Sequence, residues 1–425
     1  MLFRDFLAKI ESEGKVVKIT KPVSTRYEMA AVMKSLDGKP IIFDNVEGFG
    51  YKVAANVIST RDLLAESIGV KKEDMIRVIN NAIDRPKKPE TIKPSGYEEV
   101  PPDLKKLPIL TYYKEDGGPY IASAIVVASD EEYGLNSSFH RMMVLSKNEV
   151  VARVVPRHLN EYLKRGLKRF AICIGNPTQV LLASAISVEI GKSELSIANA
   201  ISETRLIDFD GILAPESEFV MIAEVTGKTA KEGPFLDLTE TPDIVREQPV
   251  FKITKIFSRK NPFFHALLPG GFEHKILMGV PREPTIFREV NKVCRCKNVV
   301  ITPGGCSWLH AIVQIEKRRP DDGKKAIEAA FQGHKSLKHV VVVDEDIDIY
   351  NPNDVEWAIA TRFQADKNLV IKPKEKGSSL DPSSNLQTTE TTKVGIDATI
   401  PSDRRKSDFL RLKPSFAVNI EKYTR

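Results

Sequence analysis

The sequence predicts an α/β (α+β) fold in three parts: an N-terminal α/β unit over residues 1–110, a central β-barrel-like unit over 111–300, and a C-terminal α/β unit over 301–425. Three observations predict it. Short helices and strands alternate up to about residue 110, β-rich runs dominate from 120 to about 300, and strand–helix alternation returns after that. A chain of 425 residues is long enough for two or three such units, each with its own core.

Leu2, Phe6, Leu7 and Ile10 form a helical stripe, and "KVVKIT" and "PIIFDNV" read as strands. "TRDLLAESIG" is a helix with Gly69 near its end. Pro86, Pro89, Pro94, Pro101, Pro102 and Pro108 then mark an extended connection and a boundary. "YIASAIVVAS", "HRMMVLS", "EVVARVV", "EFVMIAEVTG" and "VFKITKIFSR" are the strands of the central unit, interrupted by helices at "LNEYLKRGLK" and "ELSIANAISE". The C-terminal unit reads as strand "NVVITPGG", helix "DDGKKAIEAAFQG", strand "HVVVVDEDIDI" and a helix after "NPND". The stretch "KPKEKGSSLDPSSNLQTTETTKVGIDAT" reads as a long polar loop, a kind that is usually functional or disordered.

Composition narrows the class. Apolar residues make up 42% and charged residues 28%, which is ordinary for a globular protein in water. The 63 basic and 57 acidic residues leave a net charge of +6, scattered without a basic block or zinc-finger pattern, so anionic small molecules fit better than nucleic acid. Cys173, Cys294, Cys296 and Cys306 are too few for a disulfide framework, and Cys294-Arg-Cys296 lacks the C-x-x-C spacing of zinc sites. The first residues, "MLFRDFLAKIESEGKVVKI", carry charges throughout and do not read as a signal peptide. No apolar run approaches 18 residues, so no membrane span is expected and a cytoplasmic location is.

The stretch "LNSSFHRMMVLSKNEVVARVVPRHLNEYL" sets polar heads at the open end of an apolar hairpin. Pairing Phe139–Leu145 with Val150–Val155 about Lys147–Asn148 puts Ser137 opposite His158, and gathers Asn136, Arg141 and His158. An amide oxygen, an imidazole and one carboxylate would make a mixed N/O cation site suited to Mn²⁺ or Mg²⁺. The plain alternative has His158 capping the following helix and Asn136 in a turn.

Several segments together resemble the UbiD family of decarboxylases, which use prenylated FMN. They are the Asn136–Arg141 segment, "VVARVVPRH", "LAPESEFVMIAEV", "EGPF", "PVFKITKIFSR", "TPGGCSWLHAIVQIEK", "VVVVDEDIDIYNPNDVEWAIATR" and "TTKVGIDAT", in the family's order. The resemblance implies that the central unit is a split β-barrel that binds the flavin, and that the C-terminal unit carries oligomer contacts and a cofactor-covering loop. Asn136, His158 and Glu218 match the family's Mn²⁺ ligands, which bridge to the flavin phosphate, and Lys393 matches a lysine reaching that phosphate. Ser137, Ser138, Phe139, His140, Arg141 and Arg157 complete the implied cofactor contacts, and whether K⁺ also binds stays open.

Arg141 lies where the family's arginine holds the substrate carboxylate. The proton donor falls on His274 or, with a one-residue shift, Glu273, in "HALLPGGFEHKILMG", where Gly271 replaces the family's arginine. A histidine can do this work because its pKa lies near neutrality. Glu232 reads as a structural turn residue. The implied activity is non-oxidative decarboxylation of an α,β-unsaturated acid by a dimer or larger homo-oligomer, with a flavin prenyltransferase supplying the cofactor. The branch most resembled is the archaeal one that converts trans-anhydromevalonate 5-phosphate to isopentenyl phosphate in a modified mevalonate pathway. The alternatives are an aromatic acid, such as a 4-hydroxybenzoate derivative of quinone synthesis, and a non-catalytic flavin-binding subunit.

Overall fold

The computed structural model describes residues 1–385, 387–412 and 418–423. Its centre is a nine-stranded sheet. Eight strands follow one path: Tyr120–Ile121, Met142–Val144, Glu149–Ala152, Arg246–Arg259, Phe219–Glu232, Arg169–Ile174, Ile125–Asp130 and Gly134–Phe139. Tyr97–Val100 pairs off the path with Arg246–Arg259. Every pairing is antiparallel.

The path is strongly curled, and a length argument shows it. Gly134–Phe139 and Met142–Val144 stand six strand spacings apart along the path, roughly 29 Å if the sheet were flat. Only His140 and Arg141 separate them in the chain, a link that reaches about 11 Å at most. The two edges must therefore face each other, and His140 and Arg141 sit at the seam. Among the described residues no pairing closes that seam. Register shifts at Ile222/Ala223 and Val225/Thr229 in the long central pair supply bulges of the kind that bend strands.

Alternation along the strands builds two cores. Val126, Ala128, Phe170, Ile172 and Ile174 point into one cluster, while Ile125, Val127, Ala171 and Cys173 point into the other. The second cluster is completed by the stripe Phe3, Phe6, Leu7 and Ile10 of the N-terminal helix and by Val180–Ala183 and Leu195 of two further helices. The five-stranded C-terminal sheet, ordered Arg295–Ile301, His310–Glu316, His339–Asp344, Glu390–Asp397, Leu369–Lys376, works the same way. Val299, Ala311, Val313, Val340 and Val342 face one side, and Val300, Ile312, Val341 and Val343 the other.

Three local expectations are corrected. The hairpin pairs Val150 with Val144 and Ala152 with Met142, one residue off the expected register, and it ends at Ala152. Ser137 therefore lies not opposite His158 but, with Asn136, on a separate strand paired to Ile125–Asp130. The polar stretch from Lys372 is strand at its two ends: Leu369–Lys376 and Glu390–Asp397 pair, and Lys393 lies inside the sheet rather than on the connection between them. Its run of Thr residues suits a pleated surface, which the count of polar residues hid. The proline-rich connection also holds strands, Glu90–Ile92 and Tyr97–Val100. All four cysteines are free, and among the described residues no helix is long and apolar enough to cross a membrane.

Candidate active site

The strand Gly134–Phe139 carries Asn136 with its side chain buried. Two helices bring their first residues to it: His158 opens His158–Lys164, and Glu194 opens Glu194–Ile201. The amide nitrogen of Asn136 lies 3.1 and 3.0 Å from the two Glu194 oxygens and 3.3 Å from His158 Nδ1. His158 Nδ1 is 3.6 Å from Glu194 Oε1. The Ser137 backbone N–H donates to Glu194 Oε2 at 2.9 Å, and the Ser137 hydroxyl meets that of Ser184. Glu194 is 2% exposed, and among the described residues its one basic neighbour is His158.

This set fits a divalent cation. Ligand atoms at right angles around an ion with bonds of about 2.1 Å stand roughly 3 Å apart, which is the spacing here. Turning the Asn136 amide over presents its oxygen, giving one nitrogen and two or three oxygen donors, a set suited to Mn²⁺ or Mg²⁺. Sequence reasoning missed Glu194, because an acid in the first turn of a helix reads as an ordinary dipole partner.

Glu218 is not part of this group. It directly precedes the strand Phe219–Glu232, which is separated from that of Asn136 by the strands Arg169–Ile174 and Ile125–Asp130. Its carboxylate accepts two N–H bonds from Arg4, at 2.8 and 2.5 Å, and one from the Phe263 backbone at 3.1 Å. It clamps the N-terminal helix to the barrel. Glu218→Gln is expected to lower unfolding free energy by on the order of 3 kcal/mol in urea titrations, because Arg4 loses a buried counter-charge. Metal content and flavin affinity should stay as in the parent.

Arg141, at the seam, meets three carboxylates. Its Nε and Nη2 donate to Glu232 at 2.9 and 3.1 Å, Nη1 donates to Asp237 at 2.6 Å, and Nη2 also donates to Asp243 at 2.8 Å. Its guanidinium lies 4.7 Å from the centre of the Phe235 ring. Burial works against the charge of Arg141, but Glu232, Asp237 and Asp243 outweigh it and raise its pKa. Glu232 is fully buried at the end of the strand Phe219–Glu232 and also accepts from the Tyr120 hydroxyl at 3.1 Å. It is therefore no mere turn residue. Asp237 opens the connection of the short hairpin Phe235–Leu236/Pro242–Asp243 that follows, and Asp243 ends its second strand. Arg246 also pairs with Asp243 at 2.8 Å.

The two expected proton donors separate. His274, in the helix Phe272–Gly279, accepts from the Gly270 backbone at Nδ1, 3.1 Å away. Burial lowers its pKa, and Asp237 and Arg141 are among the charges it feels, so it does border the cluster. Glu273 points elsewhere: it is buried, accepts from the Ile58 backbone at 3.1 Å, and lies 3.3 Å from His265. A helical step of about 100° sends neighbouring residues to different sides, which removes Glu273 from the site.

The remaining expected contacts also find places. His140 is held between the Arg153 carbonyl and the Ser138 hydroxyl, each 3.0 Å away, and burial pushes its pKa down to about 4. It is a neutral spacer in the seam. Phe139 packs against the outer core cluster. Arg157 donates to Ser187 Oγ at 3.0 Å, and Arg282 reaches the same oxygen at 2.5 Å. Lys393 is buried, donates to the Lys335 carbonyl at 2.6 Å and lies 5.4 Å from the Phe331 ring centre.

Arg157, Arg282 and Lys393 pair with no carboxylate among the described residues. They share a neighbour in His334, whose pKa falls to about 3 through burial, then Arg282, Lys393 and Arg157. Cations that raise one another's energy in this way form a basin for anions. A phosphate group fits it. A separate cavity of 910 Å³ opens between Ser59–Asp62, the helix Phe272–Gly279 and the C-terminal sheet, but neither Arg141 nor Asn136 lines it.

Comparison with known proteins bears on what such a site does. The N-terminal, Rift-related and C-terminal domains described for 3-octaprenyl-4-hydroxybenzoate carboxy-lyase match residues 7–83, 86–272 and 275–398. The chain is similar to the anhydromevalonate phosphate decarboxylase of Methanocaldococcus jannaschii, 45% identical over 402 residues that cover 91% of this chain and 95% of that one. Among solved structures it is similar to the UbiD-class enzyme HmfF from Pelotomaculum thermopropionicum in complex with FMN, with a TM-score of 0.95 and 33% identity over 99% of this chain and all of the other. An evolved dimeric form of HmfF in complex with prenylated FMN gives a TM-score of 0.91 at 31% identity, with full coverage of both chains.

Proposed function

The chain belongs to the UbiD family of carboxy-lyases, and on that premise we propose that it decarboxylates trans-anhydromevalonate 5-phosphate to isopentenyl phosphate with prenylated FMN. The observation that carries the catalytic part is the arrangement at Arg141: one buried guanidinium against three carboxylates, at the seam beside the Asn136, His158 and Glu194 group. A flavin carrier has no use for such a cluster. The likeness to the archaeal decarboxylase over nine-tenths of the chain supports this substrate over an aromatic acid.

Asn136, His158 and Glu194 would hold Mn²⁺ and Arg157 and Lys393 would meet the flavin phosphate, whose charge such an ion would offset. When bound, prenylated FMN supplies the electron sink for the pair left behind as CO₂ departs. Arg141 orients the substrate carboxylate. Its Nη1 has one N–H to spare, and more once Asp237 turns away. Glu232, fixed by Tyr120, keeps the guanidinium plane from following Asp237. Asp237, less buried than Glu232 and nearest the exposed side of the cluster, delivers the proton to the carbon that lost CO₂. His274 lies within electrostatic reach of Asp237 and can return that proton from solvent.

The protein is proposed to act as a homo-oligomer and to depend on a flavin prenyltransferase for its cofactor. The test is CO₂ release from trans-anhydromevalonate 5-phosphate by protein loaded with prenylated FMN and Mn²⁺, against plain-FMN protein. Turnover is expected only with the prenylated cofactor. No turnover with the prenylated cofactor shown bound by mass spectrometry would refute this substrate.

A further inference from the structure

Arg282 has features that the proposed cofactor site does not use. It follows the helix Phe272–Gly279 in the turn Val280–Arg282. It makes no ion pair among the described residues; its one side-chain hydrogen bond runs from Nη1 to Ser187. Its Nε is buried with no hydrogen-bond partner among the described residues. Its guanidinium stands 5.5 Å from the Trp308 ring centre, and the Trp308 carbonyl is in turn 3.2 Å from His334. Burial, then Arg157, lowers its pKa to about 10. A buried donor left unmade costs about 1–3 kcal/mol, more on a charged group, so the fold keeps this arginine at a cost that a bound anion would offset.

The flavin phosphate alone does not balance the basin. Take the proposed Mn²⁺ with Arg157, Lys393 and Arg282 on one side, and Glu194 with a dianionic phosphate on the other. The phosphate and Glu194 cancel the metal and one cation. Two positive charges remain, enough for a second dianion.

The position of Arg282 says which anion. It lies eight residues beyond His274 on the same helix and turn, roughly 12 Å along the axis. His274 Nδ1 accepts from the Gly270 backbone, and a Cβ at Gly270 would stand 3.4 Å from the Asp237 carbonyl oxygen. One rigid element therefore has the carboxylate-handling cluster at one end and an unpaired guanidinium at the other. In an extended five-carbon acid with a terminal phosphate, six bonds separate the carboxylate carbon from phosphorus, roughly 7 Å. Adding a hydrogen-bonded contact at each end matches the length of the ruler.

We infer that Arg282, seated on Ser187 and Trp308, binds a second anionic group of the substrate, a phosphate at the end remote from the carboxylate that Arg141 holds. This rests on the reaction proposed above and names the residue that makes it selective for a phosphorylated acid. Arg157 stays with the cofactor, since it directly precedes His158 in the chain.

The experiment uses Arg282→Gln and Arg282→Lys, loaded with prenylated FMN and Mn²⁺, and two acids: trans-anhydromevalonate 5-phosphate and the same acid without phosphate. Calorimetric Kd and KM are measured for each, and FMN affinity by fluorescence titration. The parent should bind the phosphorylated acid far more tightly than the other. Arg282→Gln should weaken the phosphorylated acid on the order of 10²-fold, leave the unphosphorylated acid unchanged, and keep FMN affinity within about threefold. Arg282→Lys should recover part of the loss. Lost FMN affinity with unaltered discrimination would assign Arg282 to the cofactor phosphate and overturn the inference. So would equal weakening of both acids. If the parent releases no CO₂ from either acid, the proposed reaction falls by itself. The Kd difference between parent and Arg282→Gln for the phosphorylated acid then decides Arg282, and no difference overturns it.

Discussion

Asp237→Asn is expected to lower kcat by on the order of 10³-fold while Mn²⁺ and flavin content stay at parental levels. Asp237 bonds the Nη1 of Arg141 at 2.6 Å, and its side chain is 19% exposed where Glu232 has none. An amide of the same shape can still accept that N–H but cannot give up a proton to carbon. Binding of the substrate should change little, because the substrate carboxylate meets Arg141 and not Asp237. The loss should therefore appear in kcat, with KM moving less than about threefold. Steady-state kinetics on loaded protein, with flavin absorbance and elemental analysis as controls, reads all three quantities. Undiminished kcat would remove Asp237 as donor and return the role to His274, the other titratable group at this cluster that sequence reasoning had favoured.

Glu194→Gln should abolish retention of Mn²⁺ after gel filtration and weaken FMN on the order of 10²-fold. The loss of a ligand is at least as severe as the 10–100-fold typical of losing its outer partner. Glu194 contributes the only full negative charge among Asn136, His158 and Glu194. Without it a divalent ion has an amide and an imidazole, and the phosphate faces the basin with its charge un-neutralised. Glu218→Gln, which the structure sets against Arg4, is the control and should retain both metal and flavin. The reverse result would restore Glu218 as the ligand.

These two carboxylates show what was legible and what was not. Asn136, Arg141 and His158 were readable because they cluster within a short stretch and break an apolar pattern. The partners of that stretch were not. Glu194 comes 58 residues after Asn136, Glu232 comes 91 after Arg141, and Asp243 comes 102 after it. Each sits in a local context that ordinary solvated acids share: a first helical turn, the end of a strand, the foot of a hairpin. Glu218 had a more convincing neighbourhood, "PESEFVMIAEV", and a different partner.

The fold divides in the same way. Periodicity located the long strand Phe219–Glu232, its partner Arg246–Arg259 and the helix Asp322–Gly333, since burial on one face writes itself into spacing. It failed at the two ends of residues 372–399, where Lys and Thr residues fill a strand pair and polarity suggested a loop.

The sequence by itself determined the family and the mixed α/β plan and singled out Asn136, Arg141 and His158 as candidates, because motif order and apolar period are properties of the chain. Only the tertiary structure decided which acids those residues meet, that Glu273 faces Ile58 and His265 while Glu218 faces Arg4, and that Arg282 has no ion pair among the described residues. The reason is physical. A carboxylate or guanidinium acquires its role from the charge it meets after burial, and that charge comes from strands and helices brought together by the curl of a sheet, at distances along the chain that no local pattern records.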